Sequence, residues 1–75
     1  MESKIREIIA SIFEIPVTKL PASFIQTDIE NWDSIGHLRL IVELESEFQV
    51  QFEPDEIGEM NSYDKIKEIV SSKID

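Results

Sequence analysis

Apolar residues at Ile5, Ile8, Ile9, Ile12 and Phe13 recur at spacings of three and four. That period predicts an amphipathic helix from about Ser3 to Glu14. Ser3 is a suitable N-cap, because its hydroxyl can accept from an orphan backbone N–H. Pro16 marks the end, since it lacks a donor and drives Ile15 out of helical geometry. No sustained period follows between Pro16 and Asp33, where Val17, Leu20, Phe24, Ile25, Ile29 and Trp32 are scattered among polar residues. A connection this long is functional or disordered in most compact domains. Its apolar residues predict a loop pinned across helix ends, with Ser23 or Thr27 capping a brief turn.

Helical periodicity resumes at Ser34 and runs to about Phe48, with Asp33 in the N-cap position. Ile35, Leu38, Ile41 or Val42, and Phe48 mark one face, while Leu40 and Leu44 widen the apolar surface beyond a single stripe. Such a helix is either enclosed or lends part of its surface to a partner or ligand. Val50 and Phe52 alternate with polar residues, but no second strand exists to pair with them, so they read as two anchors in a loop. Pro54 suits the first position of a short helix to about Glu59, with Asp55 and Glu56 in its first turn. Asn61 or Ser62 then caps a last helix to about Lys73, with Ile66, Ile69, Val70 and Ile74 inward. The expected fold is all-α: a small antiparallel bundle of three longer helices plus one short helix, with a long first loop, forming one domain over residues 1–75.

Charge narrows the partners. Sixteen acids against seven bases leave a net charge of −9. Phosphate backbones repel such a chain, so nucleic acid is not an expected partner. Basic protein surfaces attract it and accelerate encounter. The absence of cysteine removes disulfides, thiolate catalysis and thiolate metal sites together. No apolar run approaches the roughly 20 residues of a membrane span. A cytoplasmic monomer is the expectation.

Asp33, Ser34 and His37 invite a nucleophilic reading, because residues three apart on a helix approach one another. Asp33 directly precedes Ser34, however, and is badly placed to hold an imidazole from behind. No glycine-rich oxyanion loop accompanies them, and so short a chain does not exclude water from a reacting carbonyl. No catalytic residue is assigned, and His37 reads as a surface or helix-flank residue. A calcium loop starting at Asp28 fails as well, since Asp33 and Arg39 stand where glycine and glutamate are required. No metal ligand is assigned. The remaining reading treats the Ser34 hydroxyl as an attachment point beside unpaired N–H groups at a helix N-terminus, where an anion is favoured. Taken alone, such a serine is also common as an ordinary helix-start residue.

The segment Asp33-Ser34-Ile35-Gly36-His37-Leu38-Arg39-Leu40-Ile41-Val42-Glu43-Leu44-Glu45-Ser46-Glu47-Phe48 resembles the signature of the acyl carrier protein family. In that family Asp-Ser-Leu opens a helix that ends in a Leu-Glu-x-x-Phe-like run, and Leu44 to Phe48 supplies that ending. The acidic loop, short third helix and capped last helix are similar too, so the resemblance covers nearly the whole chain. It implies that Ser34 receives phosphopantetheine from coenzyme A through a phosphopantetheinyl transferase, and that the prosthetic thiol holds acyl groups as thioesters. Asp33 would cap the helix and assist the transferase, and Ile35 would offer it an apolar contact. Arg39, Glu43, Glu47, Glu56 and Glu59 would tune docking to acyl-loading and acyl-processing enzymes with basic surfaces. Leu38, Ile41, Val42, Leu44, Phe48, Ile66, Ile69 and Val70 would form the core around an acyl chain. Gly36, His37 and Arg39 depart from carriers of primary fatty-acid synthesis, and Trp32 is similar to discrete carriers of specialised, polyketide-like pathways. A peptidyl or aminoacyl carrier, or an unmodified interaction module, are the alternatives.

Overall fold

Helix α1 spans Glu2–Phe13, α2 Ser34–Phe48, α3 Pro54–Glu59 and α4 Tyr63–Ile74 in the structure, a computed structural model that describes residues 1–74. The chain is an all-α bundle, as the periodicities predict. Ile5, Ile8, Ile9 and Phe13 of α1 meet Leu40, Ile41 and Leu44 of α2 and Ile66, Ile69 and Val70 of α4 in one buried cluster. Burying side chains of this size removes roughly 1.5–3 kcal/mol of exposure cost apiece.

The helix ends are set by backbone geometry more than by the residues expected to do so. Met1, not Ser3, is the N-cap of α1, and it offers no side-chain bond. Ser3 instead lies within the first turn, because the Met1 carbonyl already accepts from the Ile5 N–H at 3.1 Å. At the other end Glu14 turns left-handed with φ 57°, and the N–H groups of Glu14 and Ile15 both return to the Ala10 carbonyl. The helix has therefore closed before Pro16 is reached. Gln49 repeats this at the end of α2, with φ 58° and the N–H groups of Gln49 and Val50 on the Glu45 carbonyl. The Ser62 hydroxyl accepts from Lys65 N–H at 3.2 Å and so caps α4.

The long first loop is tied down along its length. Leu20, Phe24, Ile29 and Trp32 are buried, whereas Val17 and Ile25, expected among the anchors, are 45% and 52% exposed. Two single 3-10 turns, Val17–Lys19 and Gln26–Asp28, carry those exposed residues at their edges. Arg6 of α1 donates to the Leu20 and Pro21 carbonyls at 2.8 and 2.9 Å. Further on, Gln26 N–H donates to the Asn61 carbonyl and Tyr63 N–H to the Phe24 carbonyl. These bonds satisfy backbone groups that a buried loop would otherwise leave unpaired.

Helix α2 corrects the expected core. Leu40, Ile41 and Leu44 are buried and Phe48 is half-buried, but Leu38 and Val42 are 59% and 61% exposed. With Ile35, 71% exposed, they form a second apolar stripe at i, i+3 and i+7 on the outer side. The bundle buries only one of the two faces. Ile74 at the end of α4 is likewise exposed, not inward.

Candidate functional site

The approach to α2 is shaped residue by residue. Asn31 adopts φ 72°, a left-handed turn that asparagine tolerates better than most residues. Trp32 then buries its ring against Phe13 at 5.5 Å and Phe24 at 6.4 Å between centroids. Its carbonyl accepts from the Gln26 side-chain amide at 2.8 Å. Asp33 is extended, and its carboxylate accepts from Gly36 N–H at 2.8 Å, the N-cap bond expected of it. The Asp33 carbonyl accepts from His37 N–H, also at 2.8 Å, and starts the helical ladder.

Ser34 follows as the first residue of α2, with its side chain exposed. Its own N–H and that of Ile35 have no acceptor among the described residues, as the first donors of a helix must lack an intrahelical partner. An exposed serine thus stands on a buried and hydrogen-bonded footing. The fixed parts are Trp32 behind it and the capped turn ahead.

His37 has a different place from the one expected. It is half-buried, and its Nδ1 accepts from the Trp32 indole N–H at 2.9 Å while Nε2 lies 2.8 Å from the Ile57 carbonyl. An indole nitrogen only donates, so Nδ1 must carry the lone pair and Nε2 the proton that goes to Ile57. The two rings meet edge to edge along that bond, their centroids 6.1 Å apart and their planes 24° from parallel. Both nitrogens are committed, and neither serves Ser34 as a base. The Asp33 carboxylate is equally committed to Gly36, so the three residues are neighbours without forming a nucleophilic relay. Sequence reasoning missed this role because Ile57 lies 20 positions away.

The charged residues expected to meet partners divide into two groups. Arg39, Glu43 and Glu47 come together along the junction of α1 and α2, where Glu47 lies 4.0 Å from Lys4. Arg39 and Glu43 also border a groove of about 370 Å³ floored by Ile12, Ile35, Leu38 and Val42. Glu56 and Glu59 belong to α3. Glu59 is exposed, but Glu56 is held by Lys73 at 2.8 Å and by the Glu53 N–H at 2.7 Å. Ile35 reaches the groove as an apolar neighbour of Ser34. The contribution of Leu38 and Val42 to that surface was hidden by their helical spacing, which suits a core equally well.

Among the described residues, no group of His, Asp or Glu side chains is placed to hold a metal ion, and no helix is long and apolar enough to cross a membrane. No curated protein matches the chain significantly. The family model described as a phosphopantetheine attachment site matches residues 3–72. That span runs from the second residue of α1 into the last turn of α4. Members of that family are carrier proteins bearing covalently attached phosphopantetheine, handled by transferases and by the enzymes they serve. The chain belongs to this family of phosphopantetheine-bearing carriers.

Proposed function

We propose that the chain is an acyl carrier with Ser34 as the attachment residue, acting as one unit over residues 1–75, cytoplasmic and monomeric. The observation that carries this reading is the exposed Ser34 on the first turn of α2, behind Asp33 and inside the Asp-Ser-Ile segment. The site fits a phosphodiester. Two unpaired N–H groups and the positive end of the helix dipole favour an anion there, while the nearest carboxylate, Asp33, is turned to Gly36. A concavity of about 350 Å³ is bordered by Asn31, Asp33, Ile35 and Arg39, with the chain neighbours of Ser34 among them. When bound, phosphopantetheine supplies the thiol that holds acyl groups as thioesters.

The chain's own residues do the rest. Asp33 fixes the first turn and keeps the serine hydroxyl accessible to a phosphopantetheinyl transferase. Ile35 offers that enzyme an apolar contact one residue away. Arg39, Glu43 and Glu47 beside α1, with Glu59 and Glu56 on α3, meet the basic surfaces of acyl-loading and acyl-processing enzymes. For Glu56, a partner must compete with Lys73. The served pathway is fatty-acid or specialised, polyketide-type acyl synthesis.

Incubation with coenzyme A and a broad-range phosphopantetheinyl transferase tests the assignment. Intact mass should rise by one phosphopantetheinyl group in the wild type and not in Ser34→Ala. Folded wild-type protein left unmodified by several transferases would instead indicate an interaction module.

A further inference from the structure

We propose that His37 is a positioning residue whose neutral ring latches the first turn of α2 to both Trp32 and α3, and that protonation of the ring opens the latch. The proposal rests on the attachment reading above for its consequence at Ser34, but not for the latch itself.

Two contacts meet at one imidazole. The Trp32 indole donates to Nδ1 with the two rings nearly coplanar, and Nε2–H donates to the Ile57 carbonyl. Trp32 is adjacent to Asp33 and Ser34, so its position sets where the attachment turn begins. Ile57 lies in the middle of α3, a six-residue helix too short to hold itself by its own hydrogen bonds. The latch therefore orients the loop before the serine and secures the weakest helix at once.

Only the neutral ring with its proton on Nε2 satisfies both partners. Protonation puts a second N–H on Nδ1, facing an indole N–H that cannot accept. The Trp32 bond is then lost and two part-buried donors face one another. Charged groups on the surrounding elements do not compensate. Asp33, the N-cap before α2, accepts from Gly36 N–H, and Asp28 in the loop accepts from Ile25 N–H. Glu56 of α3 is held by Glu53 N–H and Lys73. Among the described residues, neither these acids nor Glu30, Glu53, Asp55 and Glu59 form an ion pair with the ring.

The chain has one histidine and one tryptophan, so both partners can be observed without ambiguity. Nitrogen-15 NMR of the wild-type ring at neutral pH should show the neutral tautomer with the proton on Nε2. On acidification, Trp32 emission should change together with protonation of Nδ1. His37→Gln keeps a donor and an acceptor but does not titrate. Its Trp32 emission should stay flat over the same range. The ratio of wild-type to His37→Gln modification rates at Ser34, which cancels the transferase's own pH profile, should fall roughly three- to tenfold, as loss of one hydrogen bond would produce. A proton on Nδ1 at neutral pH, or emission indifferent to ring protonation, would overturn the latch, and the wild-type spectra decide this even if the variant fails to fold. A pH-independent rate ratio on modified proteins would overturn its effect on Ser34. Failure of both proteins to be modified, with the predicted ring tautomer intact, would count against the attachment reading and not the latch.

Discussion

Gly36 lies where the loop backbone and α1 converge on α2. A Cβ built there would stand 2.5 Å from the Asn31 carbonyl oxygen and 2.9 Å from a Phe13 ring carbon. By helix propensity alone the residue weakens α2 by about 0.5–1 kcal/mol relative to alanine. The close approach reverses that sign. We expect Gly36→Ala to destabilise the protein by about 1–3 kcal/mol, because the clash is with backbone oxygen and a packed ring and not with a side chain free to swing away. Equilibrium denaturation measures this, and an alanine variant as stable as wild type would show that Asn31 relaxes at no cost. Ser34 illustrates the opposite case. Its side chain is exposed, so its substitution should leave the fold intact while removing the attachment point.

Helix α3 depends on polar bonds more than its neighbours do, since none of its six residues is fully buried. The Glu53 N–H, and then the Lys73 ammonium, hold the Glu56 carboxyl below the usual glutamate range. Glu56 in turn raises Lys73 above the usual lysine range. A carboxyl depressed on folding adds stability that is present above its unfolded value and lost as pH falls through its folded value. A raised lysine adds stability that is present below its unfolded value and lost as pH rises through its folded value. Glu56→Gln should therefore melt below wild type at neutral pH. The gap should close in acid below the ordinary glutamate range, and should narrow in strong alkali beyond the ordinary lysine range, where the Lys73 contribution is lost and the Glu53 bond remains. Parallel melting curves with a constant gap in acid would show that the pair is not the source. The loop before α2 contrasts with α3, because Phe24, Ile29 and Trp32 anchor it by buried apolar side chains.

At the scale of the molecule, a net charge of −9 surrounds an outward apolar stripe beginning beside Ser34. Exposed apolar side chains in register along a helix are a surface that a partner can dry. Leu38→Ser and Val42→Ser should change stability by no more than about 0.5 kcal/mol, as surface substitutions do. Their effect should fall on the transferase, as a raised KM for the carrier. Charge should act differently. Glu43→Lys with Glu47→Lys should slow encounter with basic partner enzymes, by an amount that shrinks as salt rises. Steady-state kinetics across ionic strengths checks both expectations. Equal KM values would remove the stripe from docking, and unchanged turnover for the double reversal would remove the acids.

What the sequence determines by itself is local. The period of three and four sets the helices, Pro54 starts α3, Asp33 caps α2, and the segment Asp33 to Phe48 identifies the kind of site. These depend on residues a turn or two apart, whose geometry is fixed by backbone rules. The choice between the two apolar stripes of α2 is not local, because Leu38 and Val42 have the same helical spacing as Leu40 and Leu44. Only packing against α1 and α4 decides which stripe is buried and which is left for partners. The same holds for His37 and Gly36. One reads as a flank residue and the other as a weak helix former until Ile57, Phe13 and Asn31 are brought against them from elsewhere in the chain. The turn that presents Ser34 is thus legible in sequence as a motif, while its rigidity comes from contacts that only the folded chain creates.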